Sequence, residues 1–249
     1  MKVIKYKKMA NSRYKVYLED NHELLLYEDV ILKYDLLIRK DIDEELIIEM
    51  DKYNQEIDVY YVALNSIKNR FRSVYELKGI LLKKEYPIDL VDLAIEKLIS
   101  QGYLNDRSYA KSFINNQMIT TNNGPFKIIR ELNEKKVDSS IIDEEIEIFN
   151  EEEQSSKIKK LIEKGIKSNH TRGGIVLKQK IYNDLKNLGY DISLINSIIS
   201  DYEFSNDSDI AKREYEKLYK KYSRKYQGNE LEYKLREKMY QKGLSYEVE

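Results

Sequence analysis

No cysteine occurs among the 249 residues, which excludes disulfides and thiolate metal sites and makes a reducing compartment the expected setting. Two prolines and nine glycines leave little that would interrupt helices. The only histidines, His22 and His170, lie far apart and outside any HExxH pattern, so a catalytic zinc is not expected. No run approaches about 18 consecutive apolar residues, so no membrane-spanning helix is expected. The opening Met1-Lys2-Val3-Ile4-Lys5-Tyr6-Lys7-Lys8 lacks the apolar core of a secretory signal. A cytoplasmic protein is the expectation. An excess of one charge is missing too: 43 basic residues face 44 acidic ones, which weakens any reading as a polycation that coats DNA by itself.

What is present is a repeat. Leu81-x-x-x-x-Tyr86 returns as Leu132-x-x-x-x-Val137, as Leu185-x-x-x-Gly189-Tyr190 and as Met239-x-x-x-Gly243-Leu244, at intervals of 51, 53 and 54 residues. A fixed period of this size marks one supersecondary unit used repeatedly, and such units build elongated partner-binding surfaces.

The expected fold is mainly α, with tandem three-helix repeats in an elongated curved array behind a small N-terminal β-hairpin or meander. Tyr14, Val16 and Leu18 alternate with Arg13, Lys15 and Tyr17, a strand period. Strands are predicted over 2–8, 13–19 and 22–27, with a short helix at 28–34 and another from about 43. From about 58 the period becomes helical. The first unit has helices at 58–69, 73–85 and 88–100, the last with the stripe Val91, Ala94, Ile95, Leu98 and a stop at Gly102. The second has helices at 106–119, 125–136 and 138–149, the last carrying Ile142, Ile146 and Phe149. The third ends on a helix with Leu194, Ile195, Ile198, Ile199 and Tyr202. The corresponding domains are 1–57, 58–104, 105–150, 151–203 and 204–249. Asn206-Asp207-Ser208-Asp209 reads as a linker and cap before the fourth unit. That unit's third helix has barely begun at Ser245-Tyr246-Glu247-Val248-Glu249, so an open apolar face is expected there.

Charge follows the helices. Residues 66–86 and 107–136 each carry six basic and two acidic residues, and 155–190 carry nine and two. The third helices invert this: 138–153 hold eight acids and no base. One reading is a basic ribbon facing phosphates or an acidic protein surface. The other is ordinary solubility, with opposite charges pairing between neighbours. The 22 tyrosines divide similarly, since Tyr beside Lys or Arg stacks on bases but is also a common boundary residue. Tyr219, Tyr222 and Tyr226 fall on one helical stripe and read as core.

Chemistry is hard to find. The acids Glu144, Glu145, Glu147, Glu151, Glu152 and Glu153 read as a solvated face rather than a Mg²⁺ site. His170-Thr171-Arg172-Gly173-Gly174 lacks the Gly-Lys-Ser/Thr ending of a phosphate loop and reads as a turn into a helix, with Thr171 as its cap and Arg172 near an N-terminus able to take a phosphate. Nothing argues for an enzyme, a metal or a cofactor.

With these motifs placed, the chain resembles the RecX family of RecA-recombinase regulators, in its longer Gram-positive form. The resemblance is carried by Arg72-Ser73-x-x-Glu76-Leu77, by Gly102-Tyr103-Leu104-Asn105-Asp106-Arg107-x-Tyr109-Ala110 and by Gly124-x-x-x-Ile128-x-x-Glu131-Leu132. Glu85 and Lys136 stand where the family often has Gly, Asn105 where it often has Asp, and Tyr109 where Phe is common. The resemblance implies tandem three-helix units curved into an open arc. It also implies a non-enzymatic protein that lies in the groove of the RecA–DNA filament, restrains the recombinase, and so bears on recombination, DNA repair and the SOS response; separately, a monomer is the expected state. On that footing the first two helices of each unit face the filament. The candidate contacts are Arg70, Arg72, Lys83, Lys84, Arg107, Lys111, Lys127, Arg130, Lys135, Lys157, Lys160, Arg172 and Lys178. They would pair with acidic recombinase residues and DNA phosphates. The competing readings are an independent single- or double-stranded DNA binder, a plain helical scaffold and a nuclease.

Overall fold

The computed structural model describes residues 1–39, 41–68, 70–204 and 208–245. Asn206 and Asp207, read as linker, and Tyr246–Glu249, read as the start of a last helix, lie outside the described residues.

The first residues form an antiparallel meander in the order β1 (Val3–Lys8), β2 (Arg13–Leu18), β3 (Glu23–Tyr27). Asn11, Ser12 and Asn21 take positive φ in the two turns, as tight hairpins require. The alternation seen in sequence places Val16 and Leu18 on the buried face. They pack with Leu26, Val30, Leu36, Ile42, Met50 and Ile57. The last of these belong to α1 (Glu28–Lys33) and α2 (Glu44–Lys68) and the segment joining them, which give this small sheet the cover it needs.

The helix predicted from about 43 and the one at 58–69 are a single element, the 25-residue α2. No Gly or Pro interrupts it, and it serves two cores. Met50 and Ile57 lie under the sheet. Val59 and Ala63 pack instead with Leu77 and Leu81 of α3 (Val74–Lys83) and Val91, Ala94, Ile95 and Leu98 of α4 (Ile88–Ser100). Asp58 sits where the two cores meet. It accepts from Tyr27 Oη at 2.7 Å and Tyr86 Oη at 2.7 Å and pairs with Arg13, which lies 4.6 Å from the Tyr27 ring centroid. Burial and then Asp58 push the Tyr86 phenol up to about 12. This polar clasp ties the sheet to the first three-helix bundle. Gly102, at φ +74°, closes α4, with the Tyr103 N–H returning to the Leu98 carbonyl.

The remaining helices are α5 (Asp106–Thr120), α6 (Pro125–Glu134), α7 (Ser139–Glu145, continued by a 3₁₀ turn Ile146–Ile148), α8 (Glu151–Lys167), α9 (Gly174–Asn187), α10 (Ile192–Ser200), α11 (Ser208–Tyr222) and α12 (Gly228–Gln241). The chain divides into two compact units, residues 1–110 with 134–141, and residues 111–133 with 142–249. In the second unit Ile142, Phe149, Ile195, Ile198 and Ile199 are buried as their spacing foretold, while Ile146 and Leu194 are half-buried. Tyr222 and Tyr226 pack on the α11–α12 core. Tyr219 differs: it is 49% exposed and stacks on Tyr215, because its side of α11 faces water.

The sequence repeat has a backbone counterpart. Glu85, Lys136, Gly189 and Gly243 occupy the same repeat position, and all four have positive φ, at 65°, 56°, 86° and 69°. The helix stop that favours glycine is therefore kept where the residue is Glu or Lys. The carbonyl just before this stop is used in the same way three times. In the first unit the carbonyl of Lys135 accepts from Ser73 Oγ at 3.1 Å. In the second, that of Leu188 accepts from the Gly124 N–H at 2.7 Å, and that of Lys242 from the Gly173 N–H at 2.8 Å. Each donor sits at the N-terminal end of a second helix, α3, α6 or α9. Donors at one helix start, a cap hydroxyl in the first case and backbone N–H groups in the other two, thus meet orphan acceptors of another helix end.

Candidate functional site

Two of the three motif stretches converge on the start of α3. Ser73, fully buried, forms a capping box with Glu76: its hydroxyl accepts from the Glu76 N–H at 3.1 Å, and the Glu76 carboxylate accepts from the Ser73 N–H at 3.3 Å. The next orphan donor, the Val74 N–H, goes to Asp106 Oδ1 at 2.8 Å. Lys135 Nζ lies 2.7 Å from Glu76 Oε1. Burial raises the Glu76 carboxyl, but the Lys135 ammonium and the Ser73 N–H outweigh it and hold the group below the usual carboxylate range. Burial pushes Asp106 up, partly offset by the Val74 N–H. Burial also raises the Tyr109 phenol, with Glu76 adding to the effect. The motif is therefore a folded junction. Ser73, Glu76, Asp106 and Lys135 satisfy one helix start between them, and the pattern S-x-x-E is a sequence signal that could have announced its capping box.

The thirteen candidate cations do not share one environment. In the first unit Arg70, Lys83, Lys84 and Arg107 are exposed. Arg72 is half-buried, its Nε donating to the Ser66 carbonyl at 3.0 Å, and Lys135 is held by Glu76. In the second unit Lys111, Arg130, Lys160 and Lys178 are exposed, while Lys127, Lys157 and Arg172 are half-buried. Lys178 lies over the Phe204 ring at 5.8 Å. Lys157 turns inward: its ammonium donates to the carbonyls of Met118 and Thr121, the latter at 3.1 Å, which end α5. Burial lowers its pKa.

Arg172 is brought together with two lysines that sequence reasoning passed over. A cleft of about 310 Å³ between α8 and α9 is floored by Leu177, Ile181 and Leu185 and rimmed by Lys164, Arg172 and Lys180. Lys180 is paired with Asp184. The turn before α9 also differs from the expectation. Its organiser is Asn169, not Thr171: Asn169 Oδ1 accepts from the Arg172 N–H at 3.1 Å, and its Nδ2 donates to the Arg172 carbonyl at 2.7 Å. The Gly173 N–H is spent on Lys242, so this helix start does not offer its first donor to a phosphate. No helix among the described residues is long and apolar enough to cross a membrane.

An antiparallel sheet of three strands, followed by helical bundles whose second helices share one stop and one end-to-end hydrogen bond, defines a helical-repeat protein with an N-terminal sheet. Comparison with known proteins carries this further. Residues 105–145 match the family description "RecX, second three-helix domain". A protein of Halalkalibacterium halodurans named Regulatory protein RecX is 29% identical, over 98% of this chain and 95% of its own length. Its namesake in Bacillus subtilis is 29% identical over 98% and 94%. Among solved structures, a regulatory protein RecX superposes with a TM-score of 0.70 at 24% identity, covering 81% of this chain and 99% of that one. RecX from Lactobacillus salivarius superposes at 0.57 with 26% identity, covering 60% and 97%. The chain is thus similar, over nearly its whole length, to proteins of the RecX family of regulatory proteins.

Proposed function

We propose that this protein is a non-enzymatic regulator, chiefly an inhibitor, of the RecA recombinase. It acts from the groove of the RecA–DNA filament and so modulates recombination, DNA repair and the SOS response. The observation that carries the reading is near-full-length likeness to proteins named regulatory, joined to the convergence of the motif residues at the start of α3. The three complete three-helix repeats and the partial fourth are the gripping units. Their exposed cations pair with acidic recombinase residues and DNA phosphates. Several modest patches on one chain add through effective concentration. Contacts to neighbouring protomers that favour a spacing other than the active one lower the population of active filament.

A second reading, an independent DNA-binding repeat protein, is favoured by the basic stretches 66–86, 107–136 and 155–190. One fluorescence titration separates them. Labelled single- and double-stranded DNA is offered to the protein alone, then as a preformed RecA filament. The regulator binds the filament more tightly than either naked DNA, whereas the independent binder saturates naked DNA equally well and with strong salt dependence.

A further inference from the structure

In the first unit, the segment between α2 and α3 faces the segment between α4 and α5 across a cleft of about 190 Å³, lined by Ile67, Phe71, Arg72, Tyr103, Asn105 and Ser108, among others. Phe71 and Tyr103 contribute to opposite segments of this lining, yet they are 66% and 61% exposed. Single exposed aromatics are ordinary, but two addressing one opening are not explained by core packing. Their positions are fixed by backbone. Gly102 turns into the left-handed region to present Tyr103, and the buried Ser73 cap anchors the segment that carries Phe71.

The cationic group of the cleft is a donor held in place. Arg72 is oriented by its Nε bond to the Ser66 carbonyl, and its two terminal nitrogens have no partner among the described residues. Asn105 accepts from the Ser108 N–H at 3.0 Å through Oδ1. None of the lining residues is acidic. Lys68, Arg70 and Arg72 follow one another with no acid between residues 66 and 75. The volume lies below that of pockets for drug-sized ligands and suits one planar ring system.

We propose that this cleft takes a single unpaired base of a single-stranded nucleic acid, stacked on Phe71 and Tyr103, with Arg72 and its basic neighbours on the adjoining phosphates. Aromatic faces tolerate every base, so sequence preference is weak. An apolar side chain of a protein partner is the alternative occupant, but the absence of acids from the lining, Arg72 within it and the basic neighbours Lys68 and Arg70 in the sequence favour a polyanion. The proposal deepens the nucleic-acid side of the function above and is tested without a recombinase.

The chain contains no tryptophan, so Tyr103→Trp supplies the only such emitter. Oligo(dT) is titrated into this variant at low salt, with binding followed independently by anisotropy of the labelled oligonucleotide. The expected result is saturable quenching of the introduced indole that tracks the anisotropy. Adding Phe71→Ala lowers affinity about tenfold, and Arg72→Gln weakens binding at low salt and makes it fall less steeply as salt rises. A Tyr219→Trp protein, with its emitter on α11, serves as control and keeps its emission. Because Phe71 and Tyr103 are exposed, the variants retain their helical circular dichroism. Binding without quenching, unchanged affinity in Phe71→Ala, or quenching by recombinase protein but not by oligo(dT) overturns the assignment. Quenching by oligo(dT) in a protein that leaves RecA activity untouched upholds the cleft and removes the recombinase reading instead.

Discussion

Gly124 and Gly189 meet backbone to backbone: a Cβ built on Gly124 would lie 2.6 Å from the carbonyl carbon and oxygen of Gly189, and one on Gly189 would lie 2.5 Å from the backbone nitrogen of Lys127. The Phe126 N–H donates to the Gly189 carbonyl at 3.0 Å, and Tyr190 Oη to the Asn122 carbonyl at 3.1 Å. No side chain can yield here, because both partners are main chain. Gly124→Ala is therefore expected to lower stability by at least about 2 kcal/mol. Gly79→Ala, in the interior of α3 with nothing within 4 Å of the added methyl, is expected to raise it by up to about 1 kcal/mol. Urea denaturation of the pair checks both signs.

Glu85 and Lys136 hold left-handed backbone without being glycine. That conformation costs an L-residue about 1 kcal/mol, partly offset in a glycine variant by the extra freedom of the unfolded chain. Glu85→Gly and Lys136→Gly are each expected to stabilise by about 0.5 kcal/mol, read as a higher denaturation midpoint. A lower midpoint would mean that the side chains matter more than the turn.

Glu76 has a folded-state pKa below its ordinary value. Its contribution is thus complete above the unfolded value of about 4.3 and is lost as pH falls through the folded value. Glu76→Gln is expected to cost about 1.5–3 kcal/mol at neutral pH and to flatten the acid limb of the stability profile. A profile parallel to that of the unaltered protein between about pH 6 and pH 3 contradicts the ion pair with Lys135.

The candidate cations fall into two functional groups. Lys157→Met leaves the carbonyls of Met118 and Thr121 without their donor, and an expected loss of about 1–3 kcal/mol follows. Lys83, Lys84, Lys111 and Lys160 are exposed and have no ion pair among the described residues, so alanine at each is expected to change stability by less than about 0.5 kcal/mol. Thermal melts of the five variants separate the groups before any binding experiment.

The sequence was most readable where one residue decides the local geometry. The period-2 alternation of Tyr14, Val16 and Leu18, the stripe Val91–Leu98 and the stop at Gly102 each have a local physical cause. It was least readable where partners are distant. The stripe of α2 changes cores near Asp58, so its two halves read as two helices. Nothing near Lys157 announces the carbonyls of Met118 and Thr121, 39 and 36 positions away. The Gly124–Gly189 contact was not legible: the sequence reads Gly124 as part of the turn 122–125 and Gly189 as part of the repeat, and nothing in either says that they meet. The thirteen basic residues were chosen by charge alone, and charge does not reveal that Lys135 and Lys157 face inward.

The central claim is regulation of the recombinase through exposed cations. It is tested most directly by RecA ATPase on single-stranded DNA, with the unaltered protein and with a Lys83→Glu, Lys84→Glu, Lys111→Glu, Lys160→Glu variant whose fold is verified by its melt. The expected result is suppression of ATPase by the unaltered protein and a loss of at least about tenfold in the potency of the variant, with the gap narrowing as salt rises. Equal suppression by both proteins, or none by either, contradicts the account.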